Sequence, residues 1–173
     1  MLFRSNACIR AHNQAEVIHK RQLHVVIIGA GATGVELAAE LHRTTREVVS
    51  FGLDRIDVDK DIKVSLIEAA DRILPGLQPR LSYATEQLIT RLGVQVLTSS
   101  KVMGVRPTGV LLADGREIES ELVVWAAGVK APDFLKDIGG LETNRANQLV
   151  VYDTLQTTRD PDIFSLGDCA ACP

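Results

Sequence analysis

This chain has no dense run of lysine or arginine, and its 173 residues carry a net charge of −3. A polyanion-binding surface needs clustered positive charge, so nucleic acid is excluded as a partner. No apolar stretch approaches the ~18 residues that cross a bilayer. Met1-Leu2-Phe3 runs straight into polar residues, so the start does not read as a secretory signal. Cysteine is scarce and odd in number, three in all, which argues against a disulfide framework and for a reducing, cytoplasmic setting. Cys169 and Cys172 form a single C-x-x-C. Metal would need a second pair of ligands, and a redox dithiol would need a helix start beside a thioredoxin-like unit; neither is evident, so both read as structural or free thiols and no metal ligand is assigned. Tyr-x-x-x-Lys is missing as well: Tyr83 is followed at that spacing by Gln87 and Tyr152 by Gln156, which removes the short-chain alcohol dehydrogenases.

What is present is ordinary globular composition, 46% hydrophobic and 24% charged, enough for one domain or one plus a piece of another. The organising stretch is His24 to Leu41, HVVIIGAGATGVELAAEL. The β-branched run Val25-Val26-Ile27-Ile28 favours a strand buried on both faces. Gly29, Gly31 and Gly34 follow at G-x-G-x-x-G spacing, and Val35 to Leu41 is rich in helix formers. Strand, glycine turn and helix thus stand in the order a dinucleotide site requires: Gly29 for the turn, Gly31 for approach of backbone to a pyrophosphate, Gly34 for close helix–strand packing. The helix dipole and its first amides would face the phosphates.

Taken in order, residues 1–23 predict a helix over roughly Asn6 to Lys20, with His12 and His19 as surface or core-edge histidines. The helix after the glycine turn runs to about Val48. Glu36 reads either as a first-turn acid or as a group reaching the nicotinamide end of a cofactor. Phe51 to Asp61 is a charged connector. Lys63 to Glu68 is a second strand ending in an acid, which in a dinucleotide fold accepts hydrogen bonds from the adenosine ribose. Glu68 lies 34 residues beyond Gly34 instead of about 20, an excess that the connector explains. A carboxylate 4 Å from a 2′-phosphate would cost on the order of 4 kcal/mol at an effective dielectric of about 20, favouring NADH over NADPH. Arg72 works against that preference, since a nearby arginine can accept the extra phosphate.

Leu81, Ala84, Leu88, Ile89 and Leu92 recur at helical spacing until Gly93, and Val94 to Leu97 is a third strand. The runs Lys101–Arg106, Gly109–Ala113 and Glu117–Ala126, punctuated by Asp114-Gly115, predict an antiparallel meander. Its last part, Leu122 to Ala126, is nearly all apolar and returns to the parallel sheet, with Trp125 in the core. Ala127 and Gly128 follow, small residues where a cofactor could lie against backbone. Beyond them come a short helix ended by Gly139-Gly140, a strand at Leu149–Tyr152, and a strand Ile163–Leu166 delivering Gly167 and Asp168, a pair suited to ligand hydroxyls. The fold class is α/β: a Rossmann-like parallel sheet with an antiparallel β-meander.

The runs VIIGAGATGVELAAEL, LIEAADRILP, VVWAAGVKAPDFLKDIGGLETN and LQTTRDPDIFSLGDCAACP together resemble the bacterial type II NADH dehydrogenases, single-subunit flavoproteins that pass electrons from NADH through FAD to quinone. The resemblance covers the chain from Val25 onward. It implies the NAD-binding domain of a two-dinucleotide flavoprotein, with NADH contacts at Gly29, Gly31, Thr33, Gly34 and Glu36, ribose binding at Glu68, and cofactor approach at Ala127 and Gly128. It implies that Asp168, beside Gly167, holds the flavin ribityl chain; Ser165 stands where an alanine is common. The cofactors carry the chemistry, and no side chain is assigned a catalytic role. No second G-x-G-x-x-G is present for an FAD pyrophosphate. The implied division is 1–23 as lead-in from a flavin domain, 24–128 as the NADH-binding domain, and 129–173 as an incomplete return into the flavin domain. The parent would sit on the cytoplasmic face of the inner membrane through a further C-terminal region. The chain alone would be soluble, bind NADH weakly, retain no FAD, lack quinone reductase activity, and expose a flavin-facing surface that could drive a homodimer. The rivals are another flavoprotein reductase, of disulfide or ferredoxin type, and a non-enzymatic NAD sensor.

Overall fold

A computed structural model describes residues 2–14, 19, 21–128 and 130–173 of the chain. It divides into two compact units, Met1–Ala127 and Gly128–Pro173. The first unit opens with helix α1 (Leu2–Asn13). The expected helix over Asn6 to Lys20 therefore starts earlier and stops sooner, and residues 15–18 and 20 lie outside the described residues. Arg55 meets this helix end, donating to the carbonyl of His12, an acceptor that the last turn of a helix leaves open, at 3.1 Å and to that of Gln14 just beyond at 2.6 Å.

Strand β1 (His24–Ile28) leads through the glycine turn into α2 (Ala32–Ser50), then a short helix α3 (Val58–Asp61), then β2 (Lys63–Ile67). The connector over Phe51 to Asp61 thus holds one helical turn, capped by the Asp57 carboxylate accepting from the Asp59 amide. Helix α4 (Pro79–Arg91) and β3 (Gln95–Leu97) complete a β-α-β-α-β run. Gly93, at φ +85°, ends α4 by donating its amide to the Thr90 carbonyl.

Strands β4 (Val102–Arg106), β5 (Gly109–Leu112) and β6 (Glu117–Glu119) form the antiparallel meander, and β7 (Leu122–Trp125) returns to the main sheet. The main sheet has strand order β3-β2-β1-β7 and is parallel throughout. Because successive side chains of a strand point to opposite faces, β1 serves two layers. Val25 and Ile27 pack with Val35, Ala38 and Ile89 of the helices; Val26 and Ile28 pack with Val110 and Leu112 of the meander. All five β1 residues are buried for this reason. Removing each such aliphatic side chain from water contributes about 1.5–3 kcal/mol.

Trp125 departs from expectation. It is 62% exposed, because β7 is an edge strand, and its indole N–H donates to the Ala127 carbonyl at 2.8 Å. On α4, Ile89 and Ser82 face the core while Leu81 and Leu88 are exposed.

In the second unit, Asp133–Gly140 is 3-10 helical and breaks at Gly139. Strand β8 (Leu149–Val150) pairs in parallel with β9 (Ala170–Ala171), so the expected strand over Leu149 to Tyr152 is two residues long. The expected strand Ile163–Leu166 is absent: the segment makes one bridge, Phe164 with Gln156, and Gly167–Cys169 forms a 3-10 turn. The bridge carries two backbone hydrogen bonds, the Thr157 amide donating to the Ile163 carbonyl at 2.8 Å and the Ser165 amide to the Leu155 carbonyl at 3.0 Å, and one isolated bridge does not make a strand.

Candidate functional site

The parallel register decides which residues meet. Ile28 stands opposite Ile67 of β2 and Trp125 of β7, so three strands end at one edge. The pairing continues beyond them: the Gly29 amide donates to the Ile67 carbonyl at 2.7 Å, and the Ala126 amide to the Ile28 carbonyl at 2.8 Å. Gly29, Glu68 and Ala127 consequently gather at the carboxyl ends of the strands, the edge where open α/β sheets take ligands.

The three glycines differ in what they meet. Gly29 has φ +100°, and a Cβ built there would lie 2.7 Å from the Cα of Ala127. Gly34 sits in the first turn of α2 against the Gly29 carbonyl oxygen, which a Cβ would approach to 1.9 Å. Gly31 faces open space, with nothing within 4 Å of such a Cβ. Two glycines therefore hold helix, turn and β7 together from inside, and the third leaves its outer side clear.

Helix α2 begins with Gly31 as its N-cap, with no side chain capping the first turn and no acidic residue within it. The amides of a first turn have no intrahelical acceptor, and the helix dipole places partial positive charge there. Thr33 is exposed in that turn. Glu36 is exposed in the second turn, one position beyond a first-turn acid. Glu40 is committed further along the helix: Arg43 donates to both its oxygens at 2.9 and 3.1 Å and holds the carboxyl below the ordinary carboxylate range.

Glu68 is half-buried, with Oε2 accepting from the Ala30 amide at 2.8 Å and Oε1 from the Ala70 amide at 2.9 Å. Its capture of the glycine turn was not legible in the sequence, since the partners lie 38 residues apart. Arg72 turns back on its own loop, one guanidinium nitrogen donating to the Pro75 carbonyl at 3.0 Å and another 3.7 Å from the Asp71 carboxylate. Gly128 (φ +76°), Gly167 (φ +66°) and Asp168 belong to the second unit. There Gly167 and Asp168 are exposed, and the Asp168 carbonyl accepts from the Gln148 amide group at 3.2 Å. Cys169 is half-buried and Cys172 exposed. Among the described residues no cluster of three or more His, Cys, Asp or Glu is gathered as for a metal ion, and no helix is long and apolar enough to cross a membrane.

The chain is 42% identical over 156 residues to the type II NADH:quinone oxidoreductase of Haemophilus influenzae, which covers 90% of this chain and 35% of that protein. Its fold is similar to that of NDH2 from Plasmodium falciparum in complex with NADH, with a TM-score of 0.76 at 25% identity over 97% of this chain and 36% of that one. It is also similar to a ferredoxin reductase from Rhodopseudomonas palustris, with a TM-score of 0.65 at 27% identity over 86% of this chain and 34% of that one. The chain thus spans about a third of the length of these proteins. The family model for pyridine nucleotide-disulphide oxidoreductases matches residues 4–173, nearly end to end and across the glycine turn, Glu68 and Asp168 alike, so the chain belongs to the pyridine nucleotide-disulphide oxidoreductase family.

Proposed function

We propose that this chain is the NADH-binding part of an FAD-dependent NADH:quinone oxidoreductase. The observation that carries the reading is the uncapped, glycine-led start of α2 standing beside a carboxylate at the end of β2. A diphosphate fits the first because amide donors and a positive dipole end face an unobstructed Gly31. A ribose fits the second because Glu68 accepts and does not donate. Gly29 and Gly34 shape the turn, Thr33 and Glu36 line the helix side of the nucleotide, and Ala127 and Gly128 give it close backbone approach. Gly167 and Asp168 serve the flavin side, with the carboxylate accepting from ribityl hydroxyls.

In the full-length protein, bound FAD would supply a hydride acceptor for NADH, with quinone as the final acceptor at a membrane surface. This chain's residues bind and orient; none is assigned as acid or base. The 42% identity to a quinone reductase favours quinone over ferredoxin or a disulfide as acceptor. Arg72 bound to Pro75 and facing Asp71 leaves the preference for NADH to Glu68.

The test is a titration of the chain with NADH and with NADPH, followed by nicotinamide fluorescence. NADH binds, and NADPH binds at least about tenfold more weakly, since a 2′-phosphate beside a carboxylate is repelled. Equal affinity for the two would remove the role given to Glu68. The full-length protein is then assayed with quinone, ferredoxin and disulfide acceptors; turnover with either of the last two and none with quinone would replace the reading.

A further inference from the structure

We infer that Glu68 is a positioning residue for the phosphate turn, its carboxylate setting the shape of Gly29-Ala30-Gly31 independently of any ribose contact. Only the ligand arm of the test rests on the nucleotide reading above. Ala30 lies between two glycines, where backbone freedom is greatest, yet it is fully buried. Both of its backbone polar groups are tied to the loop that follows β2. Its amide donates to Glu68 Oε2 at 2.8 Å, and its carbonyl accepts from the Leu74 amide at 2.7 Å.

The far side of this tie is anchored in turn. Glu68 Oε1 accepts from the Ala70 amide at 2.9 Å, which sets the plane of the carboxylate. Leu74 has φ +47°, a left-handed conformation that a leucine rarely adopts, and its carbonyl accepts from Ser82 Oγ at 3.1 Å and from the Leu77 amide at 2.9 Å. Ser82 is buried on α4, and Ile73, next to the strained residue, is fully buried in the core. The soft bend between β1 and α2 is therefore strapped to the start of α4. A carboxylate has about four acceptor positions, so two remain for ribose hydroxyls after both amides are served. Glutamine in its place would offer one oxygen and would turn an NH2 toward a backbone N–H, donor against donor.

Three measurements on the whole chain test this. In the unsubstituted, ligand-free chain, a through-hydrogen-bond NMR coupling joins the Ala30 amide nitrogen to the Glu68 carboxyl carbon; its absence would overturn the inference without any variant having to fold. In Glu68→Gln the Ala30 amide exchanges about tenfold or more faster, while the Ile27 and Leu66 amides keep their protection; an unchanged Ala30 rate would overturn it. The third probe is an NADH analogue whose adenosine ribose lacks both hydroxyls. Glu68→Gln weakens this analogue about tenfold or more as well, because the turn has loosened. Unchanged affinity for the analogue, with NADH weakened, would confine Glu68 to the ribose and end the proposal. If neither compound binds the unsubstituted chain, the nucleotide reading fails while the two amide measurements still decide the strap.

Discussion

Gly34→Ala sets two effects of opposite sign against each other. Alanine is the better helix former by about 1 kcal/mol, so helix propensity predicts a more stable protein. The geometry predicts the reverse. The new Cβ would meet the Gly29 carbonyl oxygen at 1.9 Å, whereas a carbon and an oxygen in contact stand about 3.3 Å apart. Helix and turn must separate by about 1.4 Å at the point where Gly29 is itself held against Ala127. The obstacle is backbone, so no side-chain rotation relieves it. Overpacking of this kind costs about 1–3 kcal/mol, and a shift this large belongs at the upper end. After the propensity gain, a net loss of about 1–2 kcal/mol remains, which lowers Tm by roughly 2–8 °C for a chain of this size. Urea and thermal unfolding read this directly, and NADH affinity falls as well because the amide donors move with the first turn. A variant as stable as the unsubstituted chain, or more so, would refute the close contact and with it the packing of α2 on β1.

Two other perturbations follow. Ser65 is fully buried between the His24 ring, whose Nε2 lies 2.8 Å from its hydroxyl, and the Gln95 side chain, whose carbonyl accepts from it at 3.1 Å. Ser65→Ala removes the shared hydroxyl from this bridge across β1, β2 and β3, and urea unfolding should show a loss of about 1–3 kcal/mol; a change below about 0.5 kcal/mol, the usual size of a surface substitution, would mean the bridge is idle. In the second unit, Lys130 donates to Asp133 Oδ1 at 2.7 Å, and this contact, with Asn147 also donating, holds the Asp133 carboxyl below its ordinary range. A carboxyl depressed in the folded state contributes stability above its unfolded pKa that is lost as pH falls through the folded one. Lys130→Met should therefore raise the Asp133 midpoint in an NMR titration and make acid unfolding slightly less steep; an unmoved midpoint would remove the ion pair.

Much of the first unit was legible because the signals are local. Val25 to Ile28 announced a strand buried on both faces, the glycine spacing announced the turn, and Asp114-Gly115 announced the hairpin that closes β5 on β6. Each depends on residues within a few positions of one another. The misses share the opposite property. Trp125 reads as core because tryptophan is usually buried, but its exposure follows from β7 being the last strand in the sheet order. The side chain that meets the end of α1 is Arg55, more than 40 residues away. The segment Ile163–Leu166 has strand composition, yet a strand exists only where a partner offers a ladder, and one bridge is all it finds.

The same division runs through the candidate site. Spacing and residue type alone determined that a helix start would follow three glycines and that an acid would end the next strand. They determined this because backbone freedom and helix polarity are properties of single residues and short runs. Only the tertiary structure decided that the acid grips the turn, that Ala127 closes against Gly29, and that Arg72 is held by its own loop. Those are contacts between segments, and a contact between segments is fixed by strand register and by the geometry of the loops that connect them.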